Sequence, residues 1–507
     1  MINYKENVHT ENRFNLIDEK WIPVATKGLF SLKDIFSINE SAELGGNSVE
    51  KIAIMKLLFA IAQSAYTPED DQDYKSINAD KLAEKCLEYL EKWRDCFYLY
   101  GEKPFLQIPA IEKAKIVSFG AISSEIATGN NTVLKETQIE REYTDAEKAL
   151  VLLCQMNFAL GGKKCDNSIV LSKEYNGKTN EKGKPSSAPF GPSLGYLGLL
   201  HSFFIEENLK QTIYINLFTK DDIEKEMKIF TDGVGIAPWE NMPQGEDDKV
   251  AKNLKNSLMG RLIALSRFCL LSDNGLCYSE GIKHSGYKEG MYDLTIAVNN
   301  KNKKKEVKVK WVNPNVSSWR EIPALLSFLE FDCFQLRLIK NKINNDKKFA
   351  IWSGGLRVSS NAGEQYVSSK DDYIESTIWL TKDILNTTAF DFLKLEIEEL
   401  QQINKKIYNH VNRYSKSLGE DNKNIPANAT NLFWQLCNKD SQELIDCCLD
   451  RNIEAIKRMR KIFVSYAEQI YNQFCPKETA RQIEAWAKNL PNFKNYLNYL
   501  TNDRSEK

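Results

Sequence analysis

The sequence predicts an α+β protein in which a large mixed N-terminal domain is followed by a C-terminal four-helix bundle. A chain of 507 residues exceeds the size at which one hydrophobic core keeps growing, so at least two domains are expected. Strand-like alternation of apolar residues marks the middle of the chain, and apolar residues recur at helical spacing from Thr381 onward. We therefore place the domains at residues 1–370 and 371–507.

The N-terminal part begins with short extended segments and continues with apolar helices. The segment NRFNLIDEKWIPV, from Asn12, predicts a strand and a turn. Apolar residues at helical spacing predict a core helix from Ser48 to Ala65 and another helix from Ala79 to Trp93. The aromatic segment from Phe97 to Pro109 follows, with a Gly-Glu-Lys-Pro turn inside it.

A third helix is predicted from Asp145 to Leu160. It ends at Gly161 and Gly162, and glycine is the usual residue just beyond a helix C-terminus. The following stretch, 163–192, is rich in Gly, Lys, Asn and Ser and predicts a long exposed loop.

Two hairpins are predicted in the middle of the chain. Residues 291–298 and 306–312 alternate around a lysine-rich tip that carries Lys301, Lys303, Lys304 and Lys305. Residues 349–358 and the strand from Tyr366 onward form the second hairpin, joined by the small polar loop SSNAGEQ.

Four helices are predicted after Thr381, separated in places by Pro426 and Pro476. The clearest runs from Asn452 to Phe474. One face of it carries the apolar residues Ile453, Ile456, Phe463, Tyr466 and Ile470. An antiparallel helical bundle accommodates this pattern.

The composition is that of a globular protein without a strong charge bias. Hydrophobic residues make up 42% and charged residues 27%, and the net charge is −1. Any nucleic-acid contact must therefore be a local basic patch or be supported by partners. Of the eleven cysteines, five lie in apolar helical patterns and are expected to be free core thiols: Cys86, Cys96, Cys154, Cys269 and Cys437.

Motifs of catalysis and of metal or cofactor binding are missing from the sequence. It has no phosphate-binding glycine loop, no H-E-x-x-H, no G-x-S-x-G and no EF-hand pattern. The four histidines lie far apart and no cysteine pair has C-x-x-C spacing, so neither a zinc site nor a cofactor is predicted. The acidic cluster Asp70 to Asp73 is interpreted as a solvated turn. We predict a protein that is not an enzyme.

No apolar run approaches the roughly 20 residues that cross a bilayer. The polar start MINYKENVHTENRF lacks the apolar core of a signal peptide. We expect no membrane contact and a cytoplasmic location.

Five separated segments have a recognisable order along the chain: NLIDEKWIPV (15–24), SLKDIF (31–36), CFYLYGEKPFLQ (96–107), FALGG (158–162) and SGGLR (353–357). A C-terminal helical region completes the order. With these segments the chain resembles, over nearly its whole length, the CasA family, the large subunit of the type I-E CRISPR surveillance complex Cascade.

The resemblance implies a non-catalytic subunit that reads the short motif beside a DNA target through the minor groove and wedges the duplex open, while guide pairing reads the rest. The implied partners are the other Cascade subunits with their crRNA, the double-stranded target DNA, and a separate helicase-nuclease that the complex recruits. Two alternatives stay open: the large subunit of another type I subtype, and a carboxylate-metal nuclease.

The resemblance also implies which residues read the motif. Lys283 falls at the position of a lysine that reaches into the minor groove, with Lys288 as a competing assignment. Gly161 and Gly162 resemble a glycine loop that lets the backbone approach the groove, although a helix cap explains them equally. The early loop of the family, which lies near the same DNA, corresponds to Val133, Leu134 and Lys135.

Strand separation is implied for the SSNAGEQ loop, where Asn361 and Ala362 match the wedge of the family and Gln365 is the other candidate for its tip. An ordinary hairpin turn is the alternative. The four tip lysines of the first hairpin are predicted to contact DNA phosphates, or else to protect a strand edge. A basic face on the last long helix (Lys457, Arg458, Arg460 and Lys461) is interpreted as a support for displaced DNA, a contact with neighbouring subunits, or a solvated face.

Overall fold

The computed structural model describes most of the chain in separate stretches. These are residues 11–122, 142–157, 165–172, 198–226, 228–284, 293–299, 308–313, 316–326, 331–338, 342, 348–357, 359–361, 364–366, 373–385, 387–420 and 422–498, with the backbone alone at 121, 323–324, 359–361, 364–366 and 387. The chain divides into two compact units. The first comprises Met1–Pro314, Ala324–Lys342 and Ile351–Thr377, and the second Asn315–Pro323, Ile343–Ala350 and Ile378–Lys507.

Helices make up most of the described structure. Twelve of them precede residue 340 within the described ranges: α1 Leu32–Ser37, α2 Ser48–Ala65, α3 Asp71–Ser76, α4 Ala79–Lys92, α5 Phe119–Ile122, α6 Asp145–Asn157, α7 Leu209–Ile215, α8 Lys220–Glu224, α9 Lys249–Lys255, α10 Met259–Leu262, α11 Ile322–Leu326 and α12 Phe334–Arg337. Six follow residue 380: α13 Thr387–Ser417, α14 Asn424–Lys439, α15 Ser441–Leu449, α16 Ile453–Phe474, α17 Ala480–Lys488 and α18 Lys494–Asn498. Short 3₁₀ turns occupy Arg94–Cys96, Pro109–Ile111, Ser318–Glu321 and Lys382–Leu385.

The strands are short and form six small sheets within the described residues. They are β1 Arg13–Asn15, β2 Ile22–Val24, β3 Gly28–Phe30, β4 Tyr98–Tyr100, β5 Ile116–Val117, β6 His201–Ile205, β7 Arg267–Ser272, β8 Gly275–Glu280, β9 Ala297–Asn299, β10 Lys308–Val309, β11 Asp332–Cys333, β12 Phe349–Leu356, β13 Ser359–Asn361, β14 Glu364–Tyr366 and β15 Tyr373–Leu380. The sheet orders are β1-β4, β2-β3, β5-β8-β7, β10-β9-β11, β15-β12-β6 and β13-β14.

Helix α2 is the centre of the first unit. Asn47 caps it: its side chain accepts from the backbone N–H of Glu50 at 3.0 Å, and Glu50 accepts from the backbone N–H of Asn47 at 2.9 Å. Nearly every face of α2 is apolar, and such a helix is stable only when other elements surround it. Helices α4, α6, α7 and α10 pack against it. The predicted bounds of α2 are confirmed, and those of α4 agree to within one residue.

Both predicted hairpins are present, with differences in detail. The first pairs β9 with β10, Asn299 opposite Lys308, but a third strand, β11, lies on the other edge of β9. For the second, the partner strand differs from the prediction: β12 neighbours β15, which begins at Tyr373, whereas Tyr366 ends the short strand β14. The prediction that SSNAGEQ is only a connecting loop is wrong, because β13 and β14 pair within it, with Asn361 opposite Glu364.

The second unit carries the predicted C-terminal bundle. Helices α13 to α16 pack on one another, and the shorter α17 and α18 follow. On α16 the predicted face is buried at Ile456, Phe463 and Ile470, but Ile453 is 43% exposed. Ile453 begins the helix directly after the cap Asn452, so it extends past the packed face. Within the described helices, none is long and apolar enough to cross a membrane.

The eleven cysteines are all free thiols. Four of the five predicted core cysteines are buried, and Cys96 is half-buried. The predicted domains, 1–370 and 371–507, remain a proposal about which parts fold independently.

Candidate nucleic-acid interface

Lys283 is an exposed residue in the irregular segment that directly follows strand β8, and its neighbours Ile282 and His284 are buried. Its own side chain is exposed, while the backbone around it is fixed to a neighbouring segment. The N–H of Gly281 donates to the carbonyl of Ser266 at 3.2 Å, and that of Ile282 to Leu265 at 2.9 Å. The lysine ammonium is therefore presented from a rigid base, as a group that reaches toward a ligand must be.

Gly281 is required for this backbone path. A Cβ atom built at this position would lie 2.2 Å from the carbonyl oxygen of Leu265, closer than any side chain tolerates. Leu265 itself has a positive φ of 44°, so the supporting segment is strained as well. A substitution at Gly281 would displace Lys283.

The segment that contains Gly161 and Gly162 lies outside the described residues, but both of its ends are fixed. At its start, fully buried Asn157 accepts a hydrogen bond from the backbone N–H of Ala264 at 2.9 Å. At its end, the N–H of Asp166 donates to the carbonyl of Tyr278 on β8 at 2.8 Å. Both ends therefore attach to the same elements, β7, β8 and the residues before β7, that hold Lys283.

Val133, Leu134 and Lys135 also lie outside the described residues. The helix that precedes them, α5, is attached to α6. The carbonyl of Ile122, at the end of α5, accepts from Gln155 at 2.6 Å. Tyr278 of β8 donates to the Gln155 amide oxygen at 3.4 Å. The start of this loop and both ends of the glycine segment thus attach close to strand β8 and the C-terminal end of α6, as Lys283 does.

Residues 163–192 are not the uniformly exposed loop that the sequence predicts. Most of Cys165–Ser172 is half-buried, and the backbone N–H groups of Leu171 and Ser172 both donate to Glu246, the latter at 2.8 Å. Residues 173–192 lie outside the described part of the chain.

A network of buried polar groups lies at the two ends of the segment 285–292, which follows Lys283. Lys56 of α2 is paired with Asp293 at 2.5 Å, and their side chains are only 1% and 3% exposed. Thr295 donates its hydroxyl proton to Asp293 at 2.9 Å, so His201, 2.7 Å from that hydroxyl, donates from Nδ1. Because His284 precedes the segment 285–292 and Asp293 follows it, buried polar groups fix both ends of that segment.

Burial sets the protonation states of this network. It lowers the pKa of His201 and of His284 to about 3, so both imidazoles are neutral at physiological pH. His284 then donates from Nε2 to the carbonyl of Ala264 at 2.7 Å. Burial likewise lowers the pKa of Lys56, whereas for Asp293 it acts to raise the pKa but is outweighed by the Lys56 ammonium.

Acidification is expected to destabilise the first unit. In the unfolded chain a histidine takes up a proton near pH 6.5, but in the folded chain His201 and His284 stay neutral down to about pH 3. Their contribution is therefore complete above pH 6.5 and is lost as the pH falls below it. Well inside that window, each histidine should lower the free energy of unfolding by about 1.4 kcal/mol for every pH unit of acidification. Denaturant unfolding between pH 8 and 5 measures this loss of stability. In a His284→Gln variant the free energy of unfolding should fall less steeply with acidification. An equally steep fall would contradict the role of His284.

The wedge candidates lie on the hairpin β13–β14. Asn361 ends β13 and Gln365 pairs with Ser360, while Ala362 and the side chains of both strands lie outside the described part. The preceding strand is firmly held, because Ser48 of α2 donates to the carbonyl of Gly355 at 2.8 Å and Ser202 is bonded to Ser353 at 2.7 Å. Asn361 and Gln365 both remain candidates for the tip.

The four tip lysines fall in the connection between β9 and β10, outside the described residues. The antiparallel register of Asn299 and Lys308 places that connection at one end of a three-stranded sheet. The position of the four lysines at a hairpin tip stays a prediction. The pairing of the flanking strands agrees with it.

Residues 15–474 match the family described as CRISPR-associated protein Cse1. The chain belongs to the CasA/Cse1 family. A CasA/Cse1 protein of Thermus thermophilus is 27% identical over 341 residues, which are 62% of this chain and 60% of that protein's length. The chain thus spans about 60% of the curated relative that it matches.

Solved structures of CasA/Cse1 proteins share the fold. Thermus thermophilus CasA matches with a TM-score of 0.69 at 19% identity, covering 96% of this chain and all of the other. Thermobifida fusca Cse1 matches with a TM-score of 0.68 at 17% identity, covering 94% and 98%. A chain of a structure titled "CRISPR RNA-guided surveillance complex, pre-nicking" matches with a TM-score of 0.60 at 13% identity, covering 94% and 97%.

In this CasA/Cse1 chain the acidic cluster Asp70 to Asp73 stabilises the start of helix α3 and the segment before it. Asp70 caps α3, and Asp73 accepts from the hydroxyl of Tyr66 at 2.7 Å and from the N–H of Glu69 at 2.9 Å. The hydrogen bond to Asp73 raises the pKa of Tyr66 to about 12. Over the described ranges, no three His, Cys, Asp or Glu residues are grouped so that they could hold a metal ion.

The basic face predicted on α16 needs one correction. Arg460 is fully buried and paired with Glu396, so it cannot contact DNA or another subunit. Arg458 and Lys461 are exposed, and Lys457 pairs with Glu454 one turn earlier at 2.8 Å.

Sequence reasoning missed the residues that support the interface, among them Asn157, Asp166 and the Lys56–Asp293 pair. A signal for the last existed: Lys56 is a single charge in the run IAIMKLLFAIA, and a charge in a helix that is apolar all round must find a buried partner. Nothing in the sequence indicated that the partner would be Asp293.

Proposed function

We propose that this chain is the large, non-catalytic subunit of a crRNA-guided type I-E Cascade complex, a cytoplasmic antiviral effector. In this role it recognises the motif beside a DNA target through the minor groove and begins to separate the strands. Membership of the CasA/Cse1 family and the fold shared with a chain of an RNA-guided surveillance complex support this role. The observation that carries it is the attachment of Lys283 and of both ends of the glycine segment to the same elements.

The proposed recognition step uses a lysine on a fixed backbone segment, together with a glycine segment whose two ends attach to the same elements. The minor-groove floor presents acceptors on every base pair, and an ammonium group offers three donors that can adjust to several related motifs. Glycines at 161 and 162 would let the backbone approach the groove edge, since no Cβ intervenes. Rigid support matters because a flexible lysine would lose entropy on binding.

Strand separation is assigned to the hairpin β13–β14, with Asn361, Ala362 or Gln365 at its tip. A wedge must resist the force of the stacked duplex, and β12 is fixed to α2 and β6 by hydrogen bonds at Gly355 and Ser353. Guide pairing would then extend the opening, and the opened complex would recruit a separate helicase-nuclease that cuts.

The test is binding of the reconstituted complex to duplexes with randomised sequence beside the target. Lys283→Ala should weaken binding by about 1–3 kcal/mol, roughly 5- to 150-fold, and relax the preference among motifs, because a contact to base edges is lost. Lys20→Ala, at an exposed lysine on the turn before β2, is the matched control and should change neither. Unchanged affinity and motif preference in Lys283→Ala would refute the assignment, and DNA cleavage by the stringently purified chain with magnesium would refute the non-catalytic role.

Replacing Lys301, Lys303, Lys304 and Lys305 together by glutamate should weaken target binding at moderate salt and flatten its salt dependence. Each lost phosphate contact reduces the slope of log K against log salt by about 0.9, so four lysines account for at most roughly 3.6. The same charge change at exposed Lys20, Lys33, Lys81 and Lys113 separates a local patch from a net-charge effect. Equal losses in the two variants would indicate that the tip makes no specific phosphate contact.

A further inference from the structure

The backbone of Ala264 links two parts of the candidate interface. Its N–H donates to Oδ1 of Asn157 at 2.9 Å, and its carbonyl accepts from Nε2 of His284 at 2.7 Å. Asn157 is the last residue of α6, from which the glycine segment continues, and His284 directly follows Lys283. One residue therefore connects the end of α6 to the segment that carries Lys283.

This link is closed to solvent. Asn157 is 0%, Ala264 1% and His284 2% exposed. Water cannot replace a partner that is lost at such a place, so each hydrogen bond strongly favours one arrangement of the groups that it joins. Asn157 is held on its own helix as well, because its Nδ2 donates to the carbonyl of Leu153 at 3.2 Å. The link thus has a fixed starting point.

The side chain of His284 continues the hydrogen bonding between β7 and β8 beyond the point where the strands end. Three successive carbonyl groups before β7 accept from the segment after β8: those of Ser266, Leu265 and Ala264, from the N–H of Gly281, the N–H of Ile282 and the His284 imidazole in turn. Lys283 lies between the second and the third of these donors. Its backbone is therefore held on both sides.

The imidazole of His284 is itself fixed. Because Nε2 donates to Ala264, Nδ1 is an acceptor, and Nη1 of Arg261 lies 3.5 Å from it. The same Nη1 donates to the carbonyl of Lys255 at 2.6 Å, so the guanidinium is anchored as well. Buried Lys56 donates to the carbonyl of Arg261 at 3.4 Å, which joins this group to helix α2.

We propose that His284 and Asn157 are positioning residues for motif recognition, which act through Ala264 to fix the Lys283 ammonium relative to the end of α6. This rests on the proposed function, in which Lys283 and the glycine segment meet one short stretch of the minor groove. Both can contact the same base pairs only if their spacing is fixed. When the link is broken, a smaller fraction of the molecules has the competent arrangement, and the apparent affinity falls by that fraction.

The test is binding of the reconstituted complex with guide RNA to duplexes that have randomised sequence beside the target. His284→Met removes the donor with a side chain of similar length, and it should weaken binding to the preferred motif by about 2- to 30-fold and relax the motif preference. His284→Gln can still donate to the carbonyl of Ala264 and should retain most of both. Asn157→Leu removes the acceptor for Ala264 and should act like His284→Met.

The control separates positioning from a general loss of stability. Asn216 is 1% exposed and also bonds to backbone alone, accepting from the N–H of Phe204 at 3.1 Å and donating to its carbonyl at 2.8 Å. Asn216→Leu should lower the unfolding midpoint of the first unit and leave the motif preference unchanged. An equal change of preference in Asn216→Leu and Asn157→Leu would overturn the proposal. If His284→Met does not fold, Asn157→Leu decides the outcome in the same way.

A double-mutant cycle shows whether His284 acts through Lys283. In a Lys283→Ala background, His284→Met should change the motif preference no further, because the side chain that it positions is gone. An equal effect of His284→Met in both backgrounds overturns the positioning role and leaves the proposed function intact. The same holds if Lys283→Ala relaxes the preference while His284→Met and Asn157→Leu do not. Unchanged binding in Lys283→Ala overturns both.

Discussion

Replacing Asp293 by alanine is expected to lower the free energy of unfolding of the first unit by about 3–5 kcal/mol, because it leaves the ammonium of Lys56 buried without its carboxylate. Nζ of Lys56 lies 2.5 Å from Oδ2 of Asp293, and the two side chains are 1% and 3% exposed. Asp293 also accepts from the N–H and the hydroxyl of Thr295, at 3.0 and 2.9 Å, so these donors lose their acceptor as well. Denaturant unfolding of wild type and variant measures the loss.

The control is a second lysine on the same helix. Lys51 pairs with Glu375 at 2.8 Å, but Glu375 is 45% exposed, so Glu375→Ala should cost less than about 1 kcal/mol. The double variant Lys56→Met, Asp293→Asn removes both charges and keeps an acceptor for Thr295, so it should recover much of the loss. If Asp293→Ala were no more costly than Glu375→Ala, the buried pair would not stabilise the unit as argued.

In the second unit, Glu396→Ala is expected to cost about 3–5 kcal/mol. Arg460 donates to Glu396 from Nη2 at 2.5 Å and from Nε at 3.0 Å, and both residues are fully buried. Its Nη1 donates to the carbonyl of Tyr496 at 2.7 Å, and the guanidinium lies 4.7 Å from the centre of the Tyr496 ring. One ion pair thus joins α13, α16 and α18.

Removing Glu396 and removing Arg460 should lower the free energy of unfolding by different amounts. Burial raises the pKa of Glu396, so in Arg460→Met the carboxyl can take up a proton and become neutral. A guanidinium keeps its charge, so Glu396→Ala should be the more damaging change. Glu454→Ala removes the exposed partner of Lys457 on the same helix α16 and should leave the unfolding midpoint unchanged. Equal costs for Glu396→Ala and Arg460→Met would show that the protonation argument is wrong.

Helices with a strong local pattern were predictable from the sequence. The apolar run and the Thr67-Pro68 stop set the ends of α2, and the capping residue Asn452 with its apolar repeat set those of α16. The small hairpin β13–β14 was missed, because three-residue strands in a polar segment have no apolar alternation. Arg460 was wrongly assigned to the basic surface of its helix, because a period of 3.6 residues does not distinguish an exposed arginine from one with a buried partner.

The candidate site was only partly predictable. Lys283 and the glycine segment were found through the family resemblance, not through their own composition, because one lysine and two glycines are common on any surface.

The sequence by itself determined the mixed α and β class, the helical C-terminal region and the family, because each depends on local periodicity or on the order of short segments. Only the tertiary structure decided that Asn157, Asp166 and the segment of Lys283 attach to the same elements. It alone also showed that Lys56 has its counter-charge 237 residues away at Asp293. Such pairings depend on how distant segments pack. A buried charge needs a partner nearby in space, and the distance along the chain leaves no mark on the local pattern.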